Sequence, residues 1–334
     1  MIVGVIANPA SGRDIRRLVA GASVFGNADK AGMVLRLLAG LGAAGVERVL
    51  MMPASDGLSV TLDRLLRARD GAPLPVLEVL PMHLTGTADD SVAAVERMGA
   101  AGVKAIVVLG GDGTHRVVAQ ACADVPICAL STGTNNVFPQ MRETTVAGLA
   151  TGLVATGRVD EETALRREPA LAVDAGGRRE LALVDVAVTP ERFVGARAVW
   201  RAEDVSELFV TYADPGAVGL SAVAGLVLPH TAGVYVRLAA ESDLTVNVPL
   251  APGLVVPIGI AAYRTLAPGE EVALEPADGC LALDGERTIE RRRADRATVR
   301  LTTGPLRIDV DAVMRRAAED GLLRAATAAG RRQA

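Results

Sequence analysis

The residues of this chain most suited to chemistry are Gly110-Gly111-Asp112-Gly113-Thr114. They follow the apolar run Ala105-Ile106-Val107-Val108-Leu109 and precede a helical stretch, His115 to Ala123, so the segment reads as strand, glycine loop and helix start. Successive glycines let backbone N–H groups approach a phosphate closely, and a helix N-terminus adds partial positive charge. A carboxylate among such donors repels phosphate, so Asp112 calls for a role of its own. It can accept the proton of an attacking hydroxyl, or hold a Mg²⁺ that bridges phosphate oxygens, and either role means phosphoryl transfer. The plainer alternative is that Asp112-Gly113 is only a turn and helix cap.

A second loop, Ser131-Thr132-Gly133-Thr134-Asn135-Asn136, follows the next apolar run. Consecutive strand ends of a doubly wound sheet are neighbours, which brings Thr132, Gly133, Thr134, Asn135 and Asn136 to the same ligand; singly, the loop is a polar N-cap. The first strand ends in Asn8-Pro9-Ala10-Ser11-Gly12-Arg13-Asp14, a third candidate wall in which Asn8, Ser11 and Gly12 face phosphate. Arg13, Arg16 and Arg17 could neutralise charge there, although helical arginines are more often solvated.

These loops need a parallel sheet to hold them. Candidate strands are Ile2 to Asn8, Val46 to Met52, Val76 to Met82, Ala105 to Gly110 and Ile127 to Ser131, with amphipathic stretches between them. The clearest helix is Asp89 to Gly102, with Asp89 and Asp90 as N-terminal caps, Val92, Val95 and Met98 on one face and Gly102 as terminator. After a helix from Glu143 to Gly157 the texture turns β-rich near Glu168. Leu171 to Asp174 and Leu181 to Val188 flank Ala175-Gly176-Gly177, and Leu281 to Leu283 precede Asp284-Gly285, a strong two-residue hairpin signal. Asp311 to Ala329 returns to helical spacing, with Val313, Ala317 and Leu322 or Leu323 on one side, and is expected to dock on the first domain. Glu290 to Arg296 reads as a solvated, charged turn. The expected architecture is α/β plus all-β: a parallel-sheet N-terminal domain of residues 1–142, completed by 310–334, and an all-β C-terminal domain of residues 143–309 with a linking helix at its start.

The 334 residues suit two domains, and 50% hydrophobic against 22% charged residues marks a folded globular chain. A net charge of −4 with only 2% aromatic residues leaves neither the basic stripe nor the stacking rings that nucleic acid requires. Lysine occurs only at Lys30 and Lys104, so a phosphate clamp falls to arginine, backbone amides or a metal ion. Cys122, Cys128 and Cys280 lack paired spacing, and His83, His115 and His230 lack zinc-ligand spacing, which fits a reducing compartment and no structural zinc. With no membrane span or leader, a cytoplasmic protein is expected.

These motifs resemble the ATP-NAD kinase superfamily, which includes diacylglycerol and sphingosine kinases. Gly110 to Thr114 looks like its GGDGT signature, Asn8-Pro9-x-Ser11-Gly12 like its first loop, and Gly133-Thr134-Asn135 like the GT-N loop of its lipid-kinase branch. Asp284-Gly285-Glu286 resembles the β-domain hairpin that the superfamily places near the nucleotide. Ile6 to Gly12, Asp14 to Val19, Ser131 to Pro139 and Pro215 to Ser221 resemble most closely the bacterial branch of acetoin-catabolism protein X. The resemblance implies a Rossmann-like nucleotide domain and a C-terminal β-sandwich with the active site between them, ATP and Mg²⁺ as cofactors, Asp112 as general base, and Gly110, Gly111, Gly113 and Thr114 around the phosphates. It further implies Thr134 and Asn135 against nucleotide, NAD as the acceptor and a homo-oligomer. Two places depart from the superfamily pattern. Where NAD kinases carry an Asn-Glu pair for the acceptor the chain reads Val184-Asp185, leaving Asp185 as a candidate, and their Thr-Pro-Thr-Gly-Ser-Thr stretch is replaced by Pro215 to Ser221. Another small metabolite or lipid as acceptor, or a non-catalytic nucleotide-binding regulator, are the rival expectations.

Overall fold

The structure, a computed structural model, describes residues 1–9, 23, 25–54, 57–71, 74–190 and 202–324. Ser11, Gly12, Arg13, Arg16 and Arg17 lie outside the described residues. Strands β1 (Ile2–Ala7), β2 (Arg48–Met51), β3 (Val76–Val79), β4 (Ile106–Gly110) and β5 (Ile127–Ser131) run parallel in the spatial order β3-β2-β1-β4-β5. Helices α1 (Asn27–Ala43), α2 (Leu58–Arg67), α3 (Asp89–Ala100), α4 (Asp112–Ala121) and α5 (Thr144–Ala155) connect or follow them. Alternation along the strands sends Val3, Val5, Val107 and Leu109 toward Leu37, Leu38 and Leu153 of α1 and α5, while Ile6, Ile106 and Val108 meet Val95, Met98 and Val118 of α3 and α4. The sheet is therefore covered on both faces, which explains its nearly continuous apolar strands.

After a one-turn α6 (Glu161–Ala164) come β6 (Leu165–Ala175), β7 (Arg178–Ala182), β8 (Asp185–Thr189) and β9 (Glu207–Tyr212). Then follow α7 (Ser221–Val227), β10 (Ala232–Leu238), β11 (Thr245–Ala251), β12 (Leu254–Thr265), β13 (Glu271–Ala273), β14 (Gly279–Leu283), β15 (Glu286–Arg291), β16 (Ala297–Ile308) and α8 (Val310–Glu319). Seven of these strands form an antiparallel sheet in the order β11-β12-β10-β9-β8-β14-β15. The parallel sheet does not stop at β5: β16 adds beside it, and β6, β7 and β13 continue antiparallel. This extension packs on the seven-stranded sheet through Leu171, Val173, Val299 and Leu301 on one side and Val186, Phe209, Leu281 and Leu283 on the other. The outer face of the seven-stranded sheet is covered by Ala222 and Val223 of α7.

Four sequence expectations change. Leu181 to Val188 is not one strand: β7 ends at Ala182 in the first sheet and β8 begins at Asp185 in the second, so Leu183-Val184 is the crossover. Asp90 does not cap α3; it accepts from the N–H groups of Thr85 and Gly86, both at 2.8 Å, bracing the turn before the helix. Glu290 and Arg291 belong to β15, and Arg291 is buried. The helix expected from His115 begins at Asp112, with Gly111 as its N-cap. Gly102 does end its helix at φ 74°, and Val313, Ala317 and Leu322 of the last segment pack on the first-domain core.

Candidate functional site

Gly110 closes β4 and Asp112 opens α4, so the loop sits at the carboxyl edge of the parallel sheet, where open α/β sheets bind ligands. Its close packing requires glycine. A Cβ on Gly110 would stand 2.7 Å from Thr114 Cβ, and one on Gly111 would stand 2.9 Å from Asn136 Oδ1. Asp112 reaches across to the second loop: Phe138 N–H donates to Oδ1 at 2.8 Å and Val137 N–H donates to both carboxylate oxygens at 3.1 Å. Asp112 is thus a brace between two loops, and its carboxylate is fixed in position.

The second loop is knitted internally. Asn136 Nδ2 donates to Ser131 Oγ at 2.7 Å, and that hydroxyl donates to the Gly133 carbonyl at 2.6 Å. Thr132 is buried and its carbonyl accepts from Phe25 N–H at 3.1 Å, while Thr134 Oγ1 accepts from Ser23 N–H at 2.9 Å. Asn8, just past β1, donates through Nδ2 to Thr114 Oγ1 at 2.9 Å, which joins the first loop to the glycine loop.

The antiparallel sheet contributes the opposite wall. Leu283 pairs with Glu286, and Asp284 and Gly285 between them have φ of 52° and 77°, the two positive values of a type I′ turn. This hairpin places Glu286 over the start of α4, where a Cβ on Gly113 would lie 3.9 Å from its carboxylate. Asp284 points inward instead. Its Oδ1 accepts from the N–H groups of Leu183 at 2.9 Å and Val184 at 2.8 Å, the two crossover amides, and from that of Asp185, the first residue of β8, at 3.3 Å. Arg116 of α4 approaches Asp284 Oδ2 at 3.9 Å and donates to the Leu283 carbonyl at 3.3 Å. Burial nevertheless pushes the Asp284 carboxyl well up; Arg116 opposes the shift, and the charges of Asp185 and Asp112 reinforce it.

One pocket between the domains is lined by Asp112, Asn135, Asp185, Ser221 and Asp284, five of the sequence candidates drawn from distant segments. The rest of its wall is Val137, Val184, Val218, Leu220 and Leu250, with Gly219 and Gly285 between them. Ser221 is buried and its Oγ has no hydrogen-bond partner among the described residues. Asn8, Thr114, Thr132, Thr134 and Asn136 are not on this wall; they scaffold the loops beside it. Sequence reasoning passed over Arg116, although it lies one helical turn beyond Asp112 and so on the same face. It also passed over Lys30, which is buried with Nζ donating to the carbonyls of Asn8 at 3.0 Å and Pro9 at 3.4 Å.

Residues 3–159 match the ATP-NAD kinase N-terminal domain, and residues 169–304 match the acetoin catabolism protein X C-terminal domain. Acetoin catabolism protein X of Cupriavidus necator is 45% identical over 337 residues, an alignment covering 97% of this chain and 94% of that protein. The GGDGT loop, the type I′ hairpin and the carboxylate-lined pocket all fall within the matched segments. The chain belongs to the acetoin catabolism protein X family, with an N-terminal half of the ATP-NAD kinase type.

Proposed function

We propose that the chain is an ATP- and Mg²⁺-dependent kinase that moves the γ-phosphoryl group to an alcohol hydroxyl, with Asp112 as the general base. The acceptor oxygen bonds to the γ-phosphorus, the bond to the β–γ bridging oxygen breaks, ADP departs and the hydroxyl proton passes to Asp112. The observation that carries this reading is the placement of Asp112. Its carboxylate is immobilised by Val137 and Phe138 N–H groups at the mouth of a glycine loop, and it lines a pocket with Asn135, Asp185 and Ser221.

Among the described residues no three His, Cys, Asp or Glu side chains converge as a metal cage. Mg²⁺ does not need one, since it keeps several waters and takes one or two carboxylates together with substrate phosphates. Asp185, on the pocket wall, is the side chain best placed to hold it, and the ion would offset phosphate charge during transfer. NAD is the first acceptor to try, because the N-terminal half matches the ATP-NAD kinase domain. A second reading, a smaller alcohol, is favoured by the aliphatic wall of Val184, Val218, Leu220 and Leu250.

The test is transfer from γ-labelled ATP with Mg²⁺ to NAD, followed by a panel of other alcohols, in the native protein and in Asp112→Asn. The expected result is transfer that the substitution lowers by about 10²–10⁴-fold. Transfer to an alcohol other than NAD selects the second reading. Nucleotide binding without transfer to any acceptor would overturn both in favour of a regulator.

A further inference from the structure

Lysine is the residue type least suited to burial, yet Lys30 is 1% exposed. It also lies in the first turns of α1, where the helix dipole disfavours a cation. Its position is explained by what it holds. The ammonium donates to the Asn8 carbonyl at 3.0 Å and the Pro9 carbonyl at 3.4 Å, at the point where the chain leaves β1. Asn8 in turn donates through its amide side chain to Thr114 Oγ1 at 2.9 Å and through its backbone N–H to the Leu109 carbonyl at 3.1 Å. The segment leading into α1 makes a parallel set of contacts. Phe25 N–H donates to the Thr132 carbonyl at 3.1 Å, and Ser23 N–H donates to Thr134 Oγ1 at 2.9 Å. One helix start therefore touches the first loop and the second directly, and reaches the glycine loop through Asn8.

We propose that Lys30 is a positioning residue: it latches the Asn8–Pro9 backbone so that Asn8 can hold Thr114, and thereby sets the spacing of the loops that receive the phosphates. The latch itself is independent of the proposed kinase activity; its effect on a nucleotide rests on that reading. Lys30 acts through the backbone of Asn8, so removing it and removing the Asn8 side chain should damage the same contact, not two separate ones.

The experiment compares Lys30→Met, Asn8→Ala and the double variant by amide hydrogen exchange and by titration with Mg²⁺-ATP. In Lys30→Met, exchange at Asn8 and Thr114 should quicken by about tenfold or more, while Phe209 and Val236 of the second sheet keep native protection. Affinity for Mg²⁺-ATP should fall by about tenfold in either single variant and little further in the double. Native exchange at Asn8 and Thr114, or affinity losses that multiply in the double variant, would overturn the latch. If the native chain binds no Mg²⁺-ATP, the proposed function fails while exchange alone still decides the role of Lys30. Should Lys30→Met not fold, Lys30→Ala, which likewise has no side-chain donor, replaces it in both measurements.

Discussion

Asp284 Oδ1 accepts from the Val184 N–H at 2.8 Å, at the residue where the chain leaves one sheet for the other. The amides of a sheet crossover lose their ladder partners, and a buried N–H without an acceptor costs roughly 1–3 kcal/mol. A carboxyl group supplied from the tip of a hairpin a hundred residues away meets that demand. The same side chain borders the pocket, so the joint between the sheets and the candidate site share a residue.

The buried Asp284 carboxyl gives the first prediction. Its proton is held more tightly in the folded chain than in the unfolded one, where the group titrates near 3.8. Its contribution to stability is therefore complete below that pH and is lost as pH rises through the raised folded value. Asp284→Asn keeps an acceptor oxygen for the crossover amides and removes the titration. Thermal melts from pH 4 upward should show the variant gaining on the native protein by up to about 1.4 kcal/mol per pH unit until the raised value is passed. Parallel melting curves would show that the group does not titrate abnormally.

His115 predicts the opposite slope. Its ring is enclosed, with Nδ1 at 2.8 Å from the Gly111 carbonyl, and burial brings it down from 6.5 to about 4, against the pull of the Gly111 and Val108 carbonyls. The unfolded chain then binds the extra proton first, so this contribution is complete above pH 6.5 and is lost as pH falls toward 4. His115→Phe should flatten the acid limb of the stability curve by about one proton's slope, roughly 1.4 kcal/mol per unit across that window. An unchanged acid limb would assign the limb to other groups.

How much of this was legible beforehand depends on the range of the interaction involved. The glycine loop, the parallel strands and the type I′ turn at Asp284-Gly285 are local patterns, and the structure places them where the residues indicate. The crossover at Leu183-Val184 was not legible, because an apolar run through Leu181 to Val188 looks the same whether it stays in one sheet or changes sheets. The acceptor for the amides freed there is Asp284, far away in sequence. Asp90 looked like a helix cap because its spacing fits one, but the N–H groups of Thr85 and Gly86 captured it. Arg116 and Lys30 drew no reading from the sequence; their tertiary carbonyl partners are what mark them out.

The crossing of α1 and α5 yields a prediction in which helix propensity and packing have opposite signs. A Cβ on Gly148 would stand 2.4 Å from the Leu37 carbonyl oxygen, and one on Gly40 would stand 2.3 Å from the Thr145 carbonyl oxygen. Both obstacles are backbone, so neither can rotate away. In an open helix Gly→Ala stabilises by about 1 kcal/mol. Here Gly148→Ala should destabilise by about 1–3 kcal/mol net, because the helices must separate. Urea unfolding measures the difference, and a stabilised variant would mean that the crossing is looser than the structure has it.

Ser221 separates stability from binding. Its side chain is 1% exposed, lines the pocket, and its Oγ finds no partner among the described residues. A buried hydroxyl without a hydrogen-bond partner among the described residues is a cost to the folded chain, so Ser221→Ala should leave stability unchanged or raise it, by up to about 1–3 kcal/mol. If the hydroxyl is there to meet the acceptor, the same substitution removes a hydrogen bond worth about 0.5–1.5 kcal/mol, and KM for the acceptor should rise about 2- to 10-fold. That bond is made before and during transfer alike, so kcat should hold. A stability loss would give Ser221 a structural partner instead, and a stable variant with native KM would move the acceptor to another part of the pocket.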